Sequence, residues 1–307
     1  MKILVAGGAG FAGSNYILYV QENHPEDEII CYDLKEKPAT LTNVTYIQGD
    51  ICDKDKVYKT FEEIKPDYVV NFASKTVRSK ELSELVDTNV TGTSILLDAC
   101  NLYGIKQFHQ ASTDEVYGDL PLGKTDFYFS EKSELRPVTP YGATKAAADM
   151  LVLSYFDAFK MNVTISRAVN VYGPKQDSDK LIPSLINQAL NDEELPVYGK
   201  GIDVRDWIHV DDYCEAIDRI LRNGTAGEVY NVGSHNEIRN IFIVRIILNE
   251  TNKPETLISY RENRRGKERR RAIDYSKIES ELGWSPQVEF KDGIKQTIEW
   301  YASEKKN

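Results

Sequence analysis

The feature that most constrains this chain is a short apolar run, KILVA, that passes directly into GGAGFAG. Five residues are too few for a buried helix, and the glycines at Gly7, Gly10 and Gly13 follow without a spacer. Glycine permits a tight turn and lets another group come close to the backbone. The pattern GxxGxxG therefore predicts a strand, a turn and a helix whose first N–H groups face into that turn. Further short apolar or β-branched runs, EIICYD, VTYIQ, YVVNF, KQFHQA and NVTISRA, recur between longer helical stretches. That alternation predicts a parallel sheet with helices on both faces.

In such a sheet, a glycine turn after the first strand is a place for a pyrophosphate, with Gly7, Gly10, Phe11, Ala12 and Gly13 forming the cradle. Asp33 stands about 20 residues after Gly13, at the end of the second strand, where a carboxylate accepts hydrogen bonds from an adenosine ribose diol. The pair predicts a Rossmann-type, doubly wound α/β domain that binds NAD rather than NADP, although Lys35 is a nearby cation able to tolerate a 2′-phosphate. Asp50 and Ile51, after the third strand, are expected at the adenine, and an ordinary turn aspartate is an equal reading of the former. The first domain is expected over 1–170, joined by part of 205–232, with helices near 82–102, ended by Gly104, and 141–159. Past Pro174 the alternation stops, so 171–307 is expected to be a smaller, mixed α/β ligand-gripping region interleaved with the first. No internal repeat or low-complexity linker separates the two.

The 307 residues are 41% hydrophobic, enough for a full core, and carry a formal net charge of −10. That charge argues against general binding to nucleic acid or to an anionic membrane, while leaving room for a local basic patch on a phosphate. Cys31, Cys52, Cys100 and Cys214 have no CxxC spacing and read as small buried hydrophobes in a reducing compartment, with no metal site implied. No signal peptide precedes the first strand and no apolar run reaches membrane-spanning length, so the chain is expected in the cytoplasm.

Two further stretches carry chemistry. STDEVYG places Asp114 and Glu115 side by side at the end of a strand, where paired acids are either turn formers or a catalytic pair. PYGATK places Tyr141 and Lys145 on one helix face. Downstream of a dinucleotide turn, the phenol of Tyr141 is able to take the proton from an alcohol, with Lys145 lowering its pKa and holding the nicotinamide ribose.

The ordered set GGAGFAG, Asp33, STDEVYG, PYGATK, SRAVNVYGP, KLIPSLINQAL, LPVYGKG, VRDWIHVDD, EVYNVGSHNE and ELGWSPQ resembles the extended short-chain dehydrogenase/reductase family over nearly the whole chain. TDEVYG draws the likeness closest to the dTDP-glucose 4,6-dehydratases. The resemblance implies oxidation at C4 of a nucleotide hexose, loss of water across C5 and C6, and reduction at C6, with NAD regenerated. Glu115 would be the base at C5, Asp114 the acid at the C6 hydroxyl, and Thr113 a hydrogen-bonding partner of the C4 oxygen. It also implies substrate contacts at Asn170, Lys180, Leu181, Arg205, Asn231 and Arg264, with Pro196 to Tyr198 lining the base, and a homodimer joined by the helices near 82–102 and 141–160.

For Arg205, an ion pair with Asp206 or Asp211 is the alternative, and for Asn170 and Asn231 it is turn capping. Within RENRRGKERRR, Arg264 and Arg270 are expected at the diphosphate, and Arg265, Arg269 and Arg271 on a solvated face. Two stretches depart from the family. FASKTVRSKE stands where the family has His-Val-Asp-Arg-Ser, and RRGKERRR stands where it has Arg-Pro-Gly-His-Asp-Arg-Arg-Tyr. A UDP-sugar, UDP-N-acetylglucosamine included, is therefore an alternative substrate, and a 4-epimerase or a cofactor-binding sensor an alternative activity.

Overall fold

The computed structural model describes residues 1–76, 81–123, 125–262 and 269–305. In chain order the strands are β1 (Lys2–Ala6), β2 (Glu28–Asp33), β3 (Thr45–Gln48), β4 (Tyr68–Asn71), β5 (Gln107–Thr113) and β6 (Val163–Ala168). Then come β7 (Asn170–Tyr172), β8 (Leu195–Tyr198), β9 (Val204–His209), β10 (Val229–Val232), β11 (Glu237–Arg239), β12 (Ile258–Arg261) and β13 (Arg270–Arg271). The helices are α1 (Phe11–Asn23), α2 (Lys54–Ile64), α3 (Leu82–Val86), α4 (Thr93–Tyr103) and α5 (Pro140–Phe159). They continue with α6 (Leu181–Leu190), α7 (Val210–Asn223), α8 (Asn240–Glu250), α9 (Ser276–Leu282) and α10 (Phe290–Glu304).

Seven strands in the order β10-β6-β5-β4-β1-β2-β3 form a parallel sheet. Because side chains alternate along a strand, β1 feeds both faces. Ile3 and Val5 pack against Tyr16 and Ile17 of α1 and Ile217 and Ile220 of α7. Leu4 and Ala6 join Phe61 of α2, Leu96 and Leu97 of α4 and Val152 of α5. Each fully buried aliphatic side chain stabilises this arrangement by about 1.5–3 kcal/mol, which is why strands covered on both sides read as unbroken apolar runs. The chain runs outward from β1 in both directions, through β2 on one side and β4 on the other. The crevice beyond the carboxyl end of β1 is thus the switch point where this architecture places ligands.

The remaining strands build two small sheets, β11-β9-β13 with β7 beside β9, and β12-β8. A separate core fills the space around them, with Ile182 and Ile186 from α6, Ile243 and Ile247 from α8, and Ile294 from α10. Among the described residues no helix is long and apolar enough to cross a membrane.

One expected helix is interrupted. The stretch from Leu82 continues through a π-helical segment, Asp87–Gly92, before α4 ends at Gly104 in the left-handed conformation, φ 64°. The wider turn carries Asn89 inward, where it is buried and accepts from the Lys75 backbone N–H at 2.8 Å. Its amide donates to the Lys75 carbonyl at 3.0 Å and to Thr144 Oγ1 at 2.9 Å. An uninterrupted α-helix would present this position differently, so the π segment ties the loop after β4 to the helix that carries Tyr141.

Candidate active site

The glycine turn is built as a close approach of backbone to backbone. Gly7 has φ +76°, and a Cβ there would lie 2.5 Å from the Ala73 backbone nitrogen. A Cβ on Gly13 would collide with the Gly7 carbonyl oxygen. Helix α1 starts at Phe11 with no side-chain cap, leaving its first N–H groups to face the crevice. Asp33, at the end of β2, accepts from the Ala9 and Lys35 backbone N–H groups at 2.9 Å each, which aims its buried carboxylate at the turn. A cavity of about 750 Å³ joins Gly7, Gly10, Phe11, Ala12, Gly13 and Asp33 to Asp50 and Ile51 on one side and to Tyr141 on the other. Lys35 also lines it. The turn, the orphan N–H groups and the acid at the far strand end fit a dinucleotide lying along this cavity.

Lys180 faces the same cavity, its Nζ donating to Thr76 Oγ1 at 3.4 Å, so the structure sets it beside the dinucleotide groove. Leu181 opens α6 with its side chain exposed. Pro196 and Tyr198 lie half-buried on β8, in the two-stranded sheet.

At the end of β5 the chain turns through one 3-10 turn, Asp114–Val116, which Thr113 caps by accepting from the Glu115 N–H at 3.3 Å. The Thr113 hydroxyl donates to Asp114 Oδ1 at 3.3 Å, and Asp114 Oδ2 accepts no hydrogen bond from the described residues. Asp114 is 2% exposed. Glu115 is held from two sides: Thr139 Oγ1 donates to its Oε2 at 3.0 Å, and the Arg271 guanidinium meets its Oε1 at 2.7 Å. The same guanidinium lies 3.5 Å from Asp114 Oδ2 and donates to Asn170 Oδ1 at 2.7 Å.

These surroundings divide the two acids. Burial pushes the Asp114 carboxyl up to about 6, with Arg271 opposing and the neighbouring Glu115 charge adding to the rise. Burial also acts upward on Glu115, but the charge and hydrogen bond of Arg271 and the Thr139 hydroxyl outweigh it and hold Glu115 below the usual carboxylate range. At pH 7 a group near 6 keeps roughly a tenth of its population protonated, whereas Glu115 is ionised.

Tyr141 and Lys145 project from the first two turns of α5, whose N-cap is Thr139 and whose first residue is Pro140. Burial raises Tyr141 well above an ordinary phenol and the Glu115 charge adds to it, with the Ser74 hydroxyl and Arg271 acting downward. The Lys145 ammonium donates to the Ala111 carbonyl at 2.6 Å, and burial brings its own pKa down to about 8 despite the nearby Asp149.

Three expectations about the substrate half are corrected. Arg271, assigned to a solvated face, is 4% exposed and turned onto the acid pair. Arg270, assigned to a diphosphate, is 1% exposed and pairs with Glu237 through Nε and, at 2.7 Å, through Nη2, while Nη1 donates to the Phe127 carbonyl. Its charge is already met. Asn231 is fully buried, with Oδ1 accepting from the Tyr117 hydroxyl at 2.7 Å and Nδ2 donating to the Phe129 and Asp274 carbonyls. It fastens segments together and has no surface for a ligand. Arg205 stands opposite Arg271 in the β9–β13 register, close enough for its charge to lower both acids, and the Asp206 carboxylate is occupied by Ser234, His235 and Asn236. Arg264 and Arg265 lie outside the described residues. Thr139 was missed, although a Thr-Pro pair just before a helix is the signal of an N-cap followed by a first-turn proline.

A family model described as GDP-mannose 4,6 dehydratase matches residues 4–297. A low-salt glycan biosynthesis protein of Haloferax volcanii is 40% identical over 313 residues, covering 98% of each chain. A dTDP-glucose 4,6-dehydratase of Actinoplanes sp. is 36% identical over 318 residues, again 98% of each. Among solved structures, the dTDP-glucose 4,6-dehydratase of Bacillus anthracis in complex with NAD superposes with a TM-score of 0.92 at 36% identity, covering 100% of this chain and 98% of that one.

Proposed function

The chain belongs to the extended short-chain dehydrogenase/reductase family, among its nucleotide-sugar 4,6-dehydratases, and from that premise we propose that it converts a nucleoside-diphosphate hexose to the 4-keto-6-deoxy product with NAD. The observation that carries the reading is the pair Asp114 and Glu115 on one turn at the end of β5, with Arg271 at 2.7 Å from Glu115 and 3.5 Å from Asp114 and Thr139 donating to Glu115 alone. When bound, NAD would supply reversible hydride transfer, from C4 and back to C6. Tyr141 takes the C4 hydroxyl proton, and Thr113 holds the C4 oxygen. The ketone at C4 makes the C5 proton acidic, and Glu115, the ionised member, removes it. Asp114, the raised member, donates its proton to the departing C6 hydroxyl, which leaves as water, and a solvent-derived proton is restored to C5 as hydride is returned to C6. Asn170 and Arg205 face the substrate's polar side, and Lys145 orients the nicotinamide ribose against Tyr141.

The second reading keeps the chemistry and changes the nucleotide. Arg271 stands where the family pattern has tyrosine, which favours a UDP-sugar, UDP-N-acetylglucosamine included, as an alternative to dTDP-glucose. We further assign the enzyme to the cytoplasm, on the strength of its free cysteine thiols, and to a homodimer, because Leu82, Val86, Leu102 and Met150 on α3, α4 and α5 are exposed apolar side chains. Light scattering tests the dimer.

The activity is tested by isotope transfer. Substrate carrying deuterium at C4 is expected to give product with deuterium in the new C6 methyl group, and turnover in heavy water is expected to place deuterium at C5. Deuterium returned to C4 with the C6 hydroxyl retained would identify a 4-epimerase instead.

A further inference from the structure

The two acids of the dehydration pair are neighbours on one turn and would be nearly equivalent if their surroundings were. Two carboxyl groups this close cannot both ionise freely, and without an asymmetric partner the proton has no fixed owner. The asymmetry comes from the far end of the chain. Arg271 lies on β13, beside β9, and reaches both acids unequally: Nη1 is 2.7 Å from Glu115 Oε1, whereas Nε is 3.5 Å from Asp114 Oδ2. Its third edge is fixed, because Nη2 donates to Asn170 Oδ1 on β7 at 2.7 Å. A guanidinium 4% exposed has few rotamers open to it, and here Asn170 locks one of them.

We propose that Arg271 is the positioning residue that makes the two carboxyls unlike, fixing Glu115 as the ionised base and leaving Asp114 as the member that takes up a proton more readily. The inference rests on the dehydratase reading and adds a residue to it. Among the other charged groups acting on the pair, Asp206 adds to the asymmetry but acts on Asp114 more weakly than Arg271 does. Arg205 on β9 lowers both acids, Asp206 on the same strand raises Asp114, and Tyr141 on α5 lies beside both. Thr139 assists Glu115 alone but carries no charge. Arginine is suited to the task because its guanidinium sets one charge against both acids while Nη2 is held by Asn170, which a lysine ammonium cannot do from a single point.

The test separates this inference from the activity itself. Carboxyl carbons of glutamate are labelled with 13C in the NAD-loaded enzyme, the Glu115 signal is assigned by its loss in Glu115→Gln, and its titration is followed in wild type, Arg271→Gln and Arg271→Lys without substrate. Arg271→Gln is expected to raise the Glu115 midpoint by a pH unit or more, with Arg271→Lys in between. In single turnovers of Arg271→Gln, C4 oxidation is expected to persist while elimination slows tenfold or more, so NADH accumulates, and the acid limb of the elimination rate moves to higher pH. A Glu115 titration unchanged in Arg271→Gln would overturn the proposal. So would a variant whose only defect is a raised KM with an unshifted pH profile, since that result would assign Arg271 to the substrate's diphosphate. Wild-type enzyme that forms no 4-keto product from any nucleotide hexose would defeat the dehydratase reading instead, and the titration would still decide what Arg271 does to Glu115.

Discussion

The Thr139 hydroxyl performs two tasks at once, and a single substitution separates them. Its oxygen accepts from the Gly142 N–H at 2.9 Å, which caps α5, and its proton goes to Glu115 Oε2 at 3.0 Å. Losing a cap of this kind costs about 0.5–2 kcal/mol of stability. Losing a hydrogen bond to a charged group costs about 1.5–3 kcal/mol. Thr139→Val removes both, so we predict a lower melting temperature together with slower dehydration. Thr139→Asp keeps a good capping oxygen but has no proton to give, and it sets a second negative charge against Glu115. We therefore predict that the capping share of the stability loss is spared, so melting falls less than in Thr139→Val, with elimination slowed about 10- to 150-fold, the rate equivalent of 1.5–3 kcal/mol. Thr139→Ser retains both tasks and serves as the control. The assay is rapid-quench single turnover, which reads C4 oxidation as NADH appearing and elimination followed by C6 reduction as NADH disappearing, alongside thermal unfolding. Elimination by Thr139→Asp within about threefold of wild type would refute the claim that this hydroxyl supports Glu115.

A methyl group on Gly13 would meet the Gly7 carbonyl oxygen and lie 2.7 Å from Gly8 Cα, so Gly13→Ala must widen the turn at a cost of about 1–3 kcal/mol; we predict about 5- to 150-fold weaker NAD binding by calorimetry, and an unchanged Kd would remove this turn from the cofactor site. His109 is buried between Thr164 Oγ1 at 2.9 Å and Ser166 Oγ at 3.0 Å, and burial lowers its pKa from 6.5 to about 3. The unfolded chain therefore binds the extra proton first, so the stability that neutral His109 contributes is present above pH 6.5 and is lost as pH falls toward 3, by about 1.4 kcal/mol per unit; urea unfolding at pH 7, 6 and 5 should show a decline that His109→Gln flattens, and parallel profiles would contradict it.

The sheet was legible because its strands are covered on both faces, which turns each into an apolar run that needs no partner to be recognised. The small sheets were not. Strand β13 is two residues long and takes its identity from β9, far away in sequence, so no local period announces it. The π segment at Asp87–Gly92 was hidden for a related reason. Its sequence suits an ordinary helix, and what widens the turn is Asn89 finding partners at Lys75 and Thr144, neither of them in the segment.

The site divides along the same line. Glycines at the first turn, Asp33 and the Asp-Glu pair are each recognisable within a few residues, because a backbone conformation or a strand end dictates them locally. The arginines are not, since RRR read as a run has one character while RR placed on a strand has two. Alternation sends Arg270 to Glu237 on one face and Arg271 to Glu115 on the other, so the expected division between a ligand-binding and a solvated arginine failed at both positions. A carboxylate's place is written near it, and its counter-charge is written wherever the fold brings a strand alongside. On the roles proposed for the two acids, that distinction matters, because the pair itself is displayed by a few adjacent residues and the arginine set unequally against it comes from a strand far along the chain.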